Sequence, residues 1–164
     1  MSKILILLLL LVIASPESSS LDFWQYPEIA DKNALFVGGF AASLSIDFSE
    51  SFSFADNFSF YYPELFLDYV LPIGLPFSFG VSVRNLEPDL FGFGIRPGYH
   101  INVNDENLDV YILYVVSFVS TEPFGLLEWG GRFGLRRRFG GVFLSIETGW
   151  RLQVIYFGLS LKIN

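Results

Sequence analysis

The residues that could carry chemistry in this chain are few. His100 is the single histidine among 164 residues, and there is no cysteine. A general base needs an oriented set of partners, and the sequence around His100 offers no such set. Without cysteine the chain has no disulfide, no thiolate zinc site and no cysteine nucleophile. We therefore predict a protein that is not an enzyme and that needs no cofactor.

Three short motifs are weak candidates for ligand sites. Residues 102–109 (NVNDENLD) are rich in oxygen ligands, but they lack the glycine and the distant glutamate of a calcium loop, which favours a solvated turn and no metal. Residues 92–98 (GFGIRPG) do not complete a dinucleotide fingerprint. Residues 136–138 (RRR) could contact lipid phosphate, although a solvated turn with one inward arginine is the simpler interpretation.

The composition excludes several classes of protein. Hydrophobic residues make up 52% and charged residues 16%, against about 25% charged residues in an average soluble domain. So few charges would leave a soluble surface poorly covered. The net charge of −7 argues against a nucleic-acid partner, which needs a basic surface. Much of the surface must therefore face something other than water.

The first residues predict export from the cytoplasm. Lys3 precedes an apolar run over residues 4–14, which is too short to span a membrane and is followed by small polar residues. This order is typical of a signal peptide over residues 1–20, with cleavage after Ala14 or near Ser20. We expect residues 21–33 to form an N-terminal periplasmic segment and residues 34–164 to form the folded domain.

From residue 34 onward, bulky apolar residues alternate with Gly, Ser, Ala or charged residues, the period of strands with two different faces. Eight such segments follow one another, separated by turns near Pro72, Asn104 and Arg137 and by a longer loop over residues 49–63. The pattern predicts an all-β, eight-stranded, antiparallel up-and-down transmembrane β-barrel. A ten-strand count, with an extra hairpin in the long loop, stays open.

The charged residues of these segments share the face that carries the small residues. In a narrow eight-stranded barrel this face forms an interior that side chains fill, where charges must pair. The predicted polar network of the lumen consists of Glu64, Asp68, Arg84, Arg96, His100, Asp109, Glu128, Arg132, Arg136, Glu147 and Lys162.

Turn positions predict which of these residues meet. The expected registers place Glu64 opposite Arg84 and His100 opposite Tyr111. They also place Glu147 opposite Gly130, with Arg132 on its diagonal.

Two strands carry specific expectations about their backbone and faces. In the first strand, Phe36 and Phe40 fall on the face of bulky apolar residues, and Val37 falls on the face of small residues. In the fourth segment, Pro97 lacks the amide donor that a closed sheet needs, so we expect a bulge or kink at Pro97 and Gly98.

The other face is continuously bulky and apolar, which favours lipid outside the barrel and polar groups inside it. Aromatic residues near the predicted strand ends form a candidate girdle at the lipid boundary, namely Tyr62, Tyr69, Tyr99, Trp129 and Trp150. The long loop contains a candidate outer hairpin for contact with a partner, with Phe52, Phe54, Phe58 and Phe60 alternating with serine.

This pattern resembles the small eight-stranded bacterial outer-membrane barrels, the OmpA-transmembrane, OmpX and OmpW-like class, over about residues 34–164. Residues 156–163 (YFGLSLKI) resemble the C-terminal assembly signal of that class through Tyr156, Gly158, Leu161 and Ile163, although the chain ends in Asn164 where the class usually ends in Phe. The resemblance implies a bacterial outer-membrane location and monomeric state. Its implied partners are the lipid bilayer, the barrel-assembly machinery and lipopolysaccharide or another envelope lipid.

The function expected first is a structural anchor or surface-interaction protein with a filled polar lumen. One alternative is a narrow channel for small hydrophobic molecules. Another is a soluble lipocalin-like carrier, in which the apolar face would point inward to a ligand. A fold of this kind hosts many functions, so the three stay open at this stage.

Overall fold

The computed structural model describes residues 22–45, 58–59, 64–87, 90–120, 125–149 and 154–163. A single 3-10 turn, Glu28–Ala30, is followed by strands β1 (Leu35–Ser45), β2 (Phe58–Ser59), β3 (Glu64–Val70), β4 (Phe77–Glu87), β5 (Leu90–Ile101), β6 (Leu108–Val119), β7 (Leu126–Phe139), β8 (Val142–Gly149) and β9 (Val154–Ile163). Within these residues, no helix is long and apolar enough to cross a membrane.

The strands form one closed antiparallel sheet. Apart from β2, each strand pairs with the next along the chain, and β9 returns to pair with β1. The two residues of β2 pair only with the far end of β1, where Ser59 faces Ser43. The predicted fold class is confirmed as a closed, eight-stranded, all-antiparallel up-and-down β-barrel, because the ring of strands is complete without β2.

The two ends of the barrel differ in their connections. The start of β1, the end of β9 and the short turns after β3, β5 and β7 lie at one end, which we call the terminal end. The ends of β1, β4, β6 and β8 lie at the opposite end, which we call the loop end. Residues 22–33, which we call the N-terminal segment, pack against the terminal end. Asp22 and Asn102 exchange two backbone hydrogen bonds of 2.9 and 3.1 Å there. The Tyr26 hydroxyl also donates to the Leu71 carbonyl at 2.6 Å.

Two of the predicted registers are confirmed and one is wrong. Glu64 faces Arg84, and His100 faces Tyr111. Glu147, however, faces Gly134 and not Gly130, because β7 continues to Phe139 and turns tightly through Gly140 and Gly141. Gly140 has a φ of 63°, which glycine adopts without strain. The shift is even, so Glu147 keeps the inward face that the pattern predicted.

The prediction for the first strand is wrong in its terminal half. Phe36 and Phe40 point inward and are buried, while Val37 is exposed on the outside. Pairing with β3 imposes this orientation, because it sets Phe36 opposite the inward Asp68. The register against β9 then shifts between Phe40 and Ala42, and this bulge changes the alternation so that Ser43 becomes buried.

The bulge predicted at Pro97 is also absent. Pro97 pairs with Phe79 of β4 without a register shift. On its other side, pairing with β6 is interrupted between the pairs Ile95–Val116 and Gly98–Leu113 and then resumes in the same register. Proline lacks an N–H, so the chain loses ladder pairs here and gains no extra residue.

Candidate functional site: the charged interior

Eight inward-facing residues form a connected group that we call the ionic core. It draws on β3, β5, β6, β7 and β8, and its members are all buried. The ionic core consists of Glu64, Asp68, Arg96, His100, Asp109, Arg132, Arg136 and Glu147. All eight belong to the network that the sequence predicted for the lumen, and alternation along each strand brings them to one side of the wall.

Arg96 is the centre of the ionic core. Its Nε donates to Asp68 Oδ1 at 2.9 Å, its Nη2 donates to Glu147 Oε1 at 2.6 Å, and its Nη1 lies 3.2 Å from Glu64 Oε1. Three carboxylates from two strands therefore surround one guanidinium that has no exposed surface. Arginine suits this position because its planar fork offers several fixed donors.

The other two arginines of the core extend the network along the barrel axis. Arg132 donates to Glu64 and Glu147, each at 3.0 Å, toward the loop end. Arg136 donates to Asp68 at 3.3 Å and to Asp109 at 3.2 Å, toward the terminal end. Every guanidinium of the core is shared by at least two carboxylates, which offsets the desolvation of buried charge.

His100 lies at the terminal side of the core and is buried. Its Nδ1 is 2.7 Å from Asp109 Oδ1, and its ring lies against Tyr111 with the centroids 5.6 Å apart. Asp109 also accepts from Arg136 and so joins His100 to the rest of the network, and the Tyr111 hydroxyl donates to Glu147 Oε1 at 3.1 Å. The other ring nitrogen, Nε2, has no hydrogen-bond partner among the described residues.

Aromatic rings line the arginines of the core. The guanidinium of Arg136 lies 4.0 Å from the Phe36 ring centroid and 4.6 Å from that of Tyr111. Arg96 lies 4.7 Å from the Phe66 ring, and Arg132 lies 4.7 Å from the Tyr156 ring. These contacts are cation–π interactions, which gain strength where water is excluded.

The remaining predicted lumen residues form ion pairs outside the core. Arg84 pairs with Glu128 near the loop end, and we call these two residues the mouth pair. Arg84 faces Glu64 in the ladder, but the carboxylate it contacts is that of Glu128. At the terminal end, Lys162 pairs with Asp31 of the N-terminal segment at 2.7 Å. The mouth pair is partly exposed, with 46% of the Glu128 side chain accessible.

The N-terminal segment covers the interior at the terminal end. Ile29 and Ala30 are buried and pack in one cluster with Phe36, Val70 and Phe143. This apolar cluster excludes water from the terminal side of the ionic core. In the part of the chain that the structure describes, the interior is therefore occupied from the N-terminal segment through the ionic core.

The outward residues predicted for the girdle and the assembly signal are placed in part. Trp129 is strongly exposed, and Tyr99 and Tyr69 are half-buried, with the Tyr69 hydroxyl donating to Asn33 Oδ1 at 2.9 Å. Of the assembly signal, Leu161 and Ile163 face outward, whereas Tyr156 contacts Arg132 from inside the barrel. Gly158 packs directly against the backbone of Gly39 and the ring of Phe40, which leaves no room for a side chain. Outside the described residues lie Tyr62, Trp150, Phe52, Phe54 and Phe60.

A cavity of about 1260 Å³ adjoins the ionic core and the broken ladder beside Pro97. Its lining includes the inward-facing Ser78, Gly98 and Leu113, and it also includes the outward-facing Tyr114 and Trp129. The cavity therefore has walls on both faces of the sheet. Neither the aromatic lining of the ionic core nor this cavity was predicted, because both depend on how all the strands are staggered around the closed barrel.

The described residues contain no group of three or more His, Asp or Glu side chains arranged to hold a metal ion. The turn at residues 102–109 instead uses its polar side chains locally. Asn102 Oδ1 accepts from the Asn104 amide at 2.9 Å, and Asp105 Oδ1 accepts from the Asn107 amide at 2.8 Å. These are the turn contacts that Asn and Asp typically make.

In the arginine motif at residues 136–138, Arg136 points inward, and Arg137 and Arg138 are exposed.

Comparison with known proteins supports the fold. No family model matches the chain, and no curated protein sequence matches it. Among solved structures, the chain is similar to one described under "De novo design of transmembrane beta-barrels", with a TM-score of 0.59 and 14% sequence identity, over 81% of this chain and 98% of that chain. At this identity the likeness shows a shared barrel architecture. The resemblance to the OmpA, OmpX and OmpW-like class stays a prediction.

Proposed function

We propose that the protein is an exported, non-enzymatic β-barrel of the bacterial outer membrane that serves as a structural anchor or surface-interaction protein. The observation that carries this proposal is the separation of the two faces. Large apolar side chains such as Leu65, Phe79, Phe93 and Leu159 are exposed on the outside, while paired charges fill the inside. A bilayer stabilises an apolar outer face, and a closed barrel satisfies the backbone within it.

This separation also bears on the alternatives. A lipocalin-like carrier needs an apolar interior, and the ionic core occupies that space. A narrow channel for small hydrophobic molecules is the second candidate, and the cavity with walls on both faces favours it. Because the N-terminal segment covers the terminal end, such a path would run between the loop end and the side of the barrel, and not straight through it.

The assembly and partner assignments belong to the same proposal. The outward Leu161 and Ile163 on the closing strand would be read by barrel-assembly machinery. The exposed Arg137 and Arg138 at the terminal end would contact the phosphates of envelope lipids. The outer hairpin predicted for the long loop would supply the surface for a partner.

The proposal is tested by refolding residues 21–164 with lipid vesicles. A membrane barrel is expected to float with the vesicles after washing with urea, and its mobility on an SDS gel is expected to change only after boiling. In a planar bilayer, the filled interior is expected to give no steady ion conductance. A chain that stays in the aqueous fraction and migrates identically with and without boiling would contradict the membrane assignment.

A further inference from the structure

The N-terminal segment carries two adjacent aromatic side chains that are exposed. Phe23 is 47% exposed and Trp24 is 73% exposed, whereas Ile29 and Ala30 of the same segment are buried beneath the interior. The segment contributes no strand to the ring. Because the protein covers so little of Trp24, contacts within the chain do not account for an aromatic pair at this place.

Backbone hydrogen bonds place the start of the segment in line with the barrel wall. The His100 amide donates to the Pro76 carbonyl on the β4 side of β5, and the Asn102 amide donates to the Asp22 carbonyl at 3.1 Å. Alternate residues of a strand direct their amides to the same side, so Asp22 lies on the side of β5 that β4 occupies. The two aromatic residues that follow therefore begin at the rim of the wall and not inside the lumen.

The neighbouring turn is apolar as well. The hydrogen bond from the Tyr26 hydroxyl to the Leu71 carbonyl holds the segment beside the turn between β3 and β4. In that turn, Ile73 is 61% exposed. These exposed apolar side chains at one part of the terminal end form what we call the rim patch, which consists of Phe23, Trp24 and Ile73.

The rim patch lies next to the apolar outer wall. Phe77 and Tyr99, near the terminal ends of β4 and β5, pack on that wall with their ring centroids 5.0 Å apart. Between residues 21 and 27 the only charged residue is Asp22, and its Oδ1 accepts from the Trp24 amide at 2.9 Å. Tryptophan and tyrosine favour the boundary between hydrocarbon and lipid head groups, because their rings are apolar and carry one polar group. A lipid surface therefore suits this patch.

We infer that the rim patch inserts into the head-group region of the bilayer leaflet at the terminal end, with phospholipid as its partner. Lipid then holds the start of the N-terminal segment, and the later part of the segment covers the interior. The inference rests on the proposed membrane location, because only a bilayer around the barrel brings a leaflet to this rim.

The test uses the fluorescence of single tryptophan residues in the full barrel. The chain contains Trp24, Trp129 and Trp150. One variant combines Trp129→Phe with Trp150→Phe and keeps only Trp24. The reference variant combines Trp24→Phe with Trp150→Phe and keeps only Trp129, which is exposed on the outer wall. Both are refolded in phosphatidylcholine vesicles whose acyl chains carry bromine, a short-range quencher, close to the head group. We expect bromine to quench Trp24 as well as Trp129, and we expect Trp24 to emit at a shorter wavelength than in urea.

The outcomes separate the two proposals. Quenching of Trp129 alone, with Trp24 emitting as it does in water, would overturn the lipid anchor and leave the membrane location standing. Quenching of neither residue would overturn the membrane location as well. Emission of Trp24 at short wavelength without quenching would show that protein covers the ring, in this barrel or in a second copy, and would also overturn the lipid anchor.

Hydrogen exchange tests whether lipid holds the segment. In vesicles, Trp24→Ser is expected to make exchange over residues 22–33 about tenfold faster, the order of effect when an aromatic ring loses its apolar surroundings. The matched control is Gln25→Ser at the exposed neighbouring position, which should leave exchange unchanged. Heat-dependent mobility on an SDS gel shows that each variant is folded. Equal exchange in the Trp24→Ser and unmodified barrels would overturn the role of lipid in holding the segment.

Discussion

At the scale of single residues, the interior is stable because its charges are shared. Asp68 accepts from both Arg96 and Arg136, and Glu147 accepts from Arg96, Arg132 and Tyr111. Such a group stabilises the barrel only while every member is present, since removal of one partner leaves others buried and unpaired. The mouth pair differs because water reaches it.

Replacement of Arg96 with methionine should therefore strongly destabilise the barrel. Three carboxylates would lose a shared partner, and we expect the free energy of unfolding in vesicles to fall by about 3–5 kcal/mol. Urea titration followed by tryptophan fluorescence measures this change. The control is Glu128→Gln in the partly exposed mouth pair, for which we expect a loss of about 0–1 kcal/mol. Equal losses in the two variants would show that the ionic core does not act as a buried network.

A second prediction concerns Gly134, which faces the ring of Tyr111. A Cβ at Gly134 would overlap that ring, and the ring is fixed on its other sides by Arg136 and by the hydrogen bond to Glu147. Gly134→Ala should lower the free energy of unfolding by roughly 1–3 kcal/mol. The same urea titration measures it, with Gly141→Ala as the unstrained glycine control. An unchanged midpoint for Gly134→Ala would mean that Tyr111 has room to move.

At the scale of elements, the N-terminal segment is held to the barrel by few but specific contacts. It contributes no strand to the closed ring, and it adds the Asp22–Asn102 bridge, the Tyr26–Leu71 hydrogen bond and the burial of Ile29. The ring can therefore stay closed when the segment is released. This arrangement predicts that docking of the segment and folding of the barrel can be separated by mutation.

Ile29→Asp should release the segment and leave the barrel folded. A buried carboxylate without a partner is unfavourable. Undocking of the N-terminal segment exposes this carboxylate to water, and only the local contacts of the segment are lost. Hydrogen exchange measured by mass spectrometry should become faster over residues 22–33, while heat-dependent mobility on the SDS gel is retained. Glu28→Ala, at the exposed neighbouring position, should leave exchange unchanged. Loss of the mobility shift in Ile29→Asp would show that the segment is needed for barrel closure.

At the scale of the whole molecule, the barrel is polar inside and apolar outside, the reverse of a soluble domain. The outward residues of neighbouring strands form a continuous apolar surface that includes Val81, Ile95 and Phe133. The stability of such a molecule should depend on a lipid or detergent environment. It should also depend on the depth at which a charge is placed on the outer face.

This depth dependence gives a direct test. Ile95 lies in the middle of β5, whereas Ile163 ends β9. Arginine at position 95 should lower the free energy of unfolding in vesicles by about 2–4 kcal/mol, and arginine at position 163 by about 0–1 kcal/mol. Urea titration of Ile95→Arg and Ile163→Arg measures both. Small and equal effects at the two positions would contradict a bilayer around the barrel.

The sequence by itself determined the period-2 alternation and the side of each wall on which most charges lie, and it favoured eight strands over ten. These are local properties, because successive side chains of a strand point to opposite faces. It also allowed two registers, Glu64 with Arg84 and His100 with Tyr111, to be read from turn positions. Both depend only on a short hairpin.

Only the tertiary structure decided which charges meet and what lies between them. Arg84 faces Glu64 but contacts Glu128, and Arg96 gathers carboxylates from two strands that are distant in sequence. Likewise, Phe36 turned inward because the closing strands fixed the orientation of β1. Side chains that cross the interior of a closed barrel meet according to the stagger of all its strands, and that stagger is a global property that no single strand encodes.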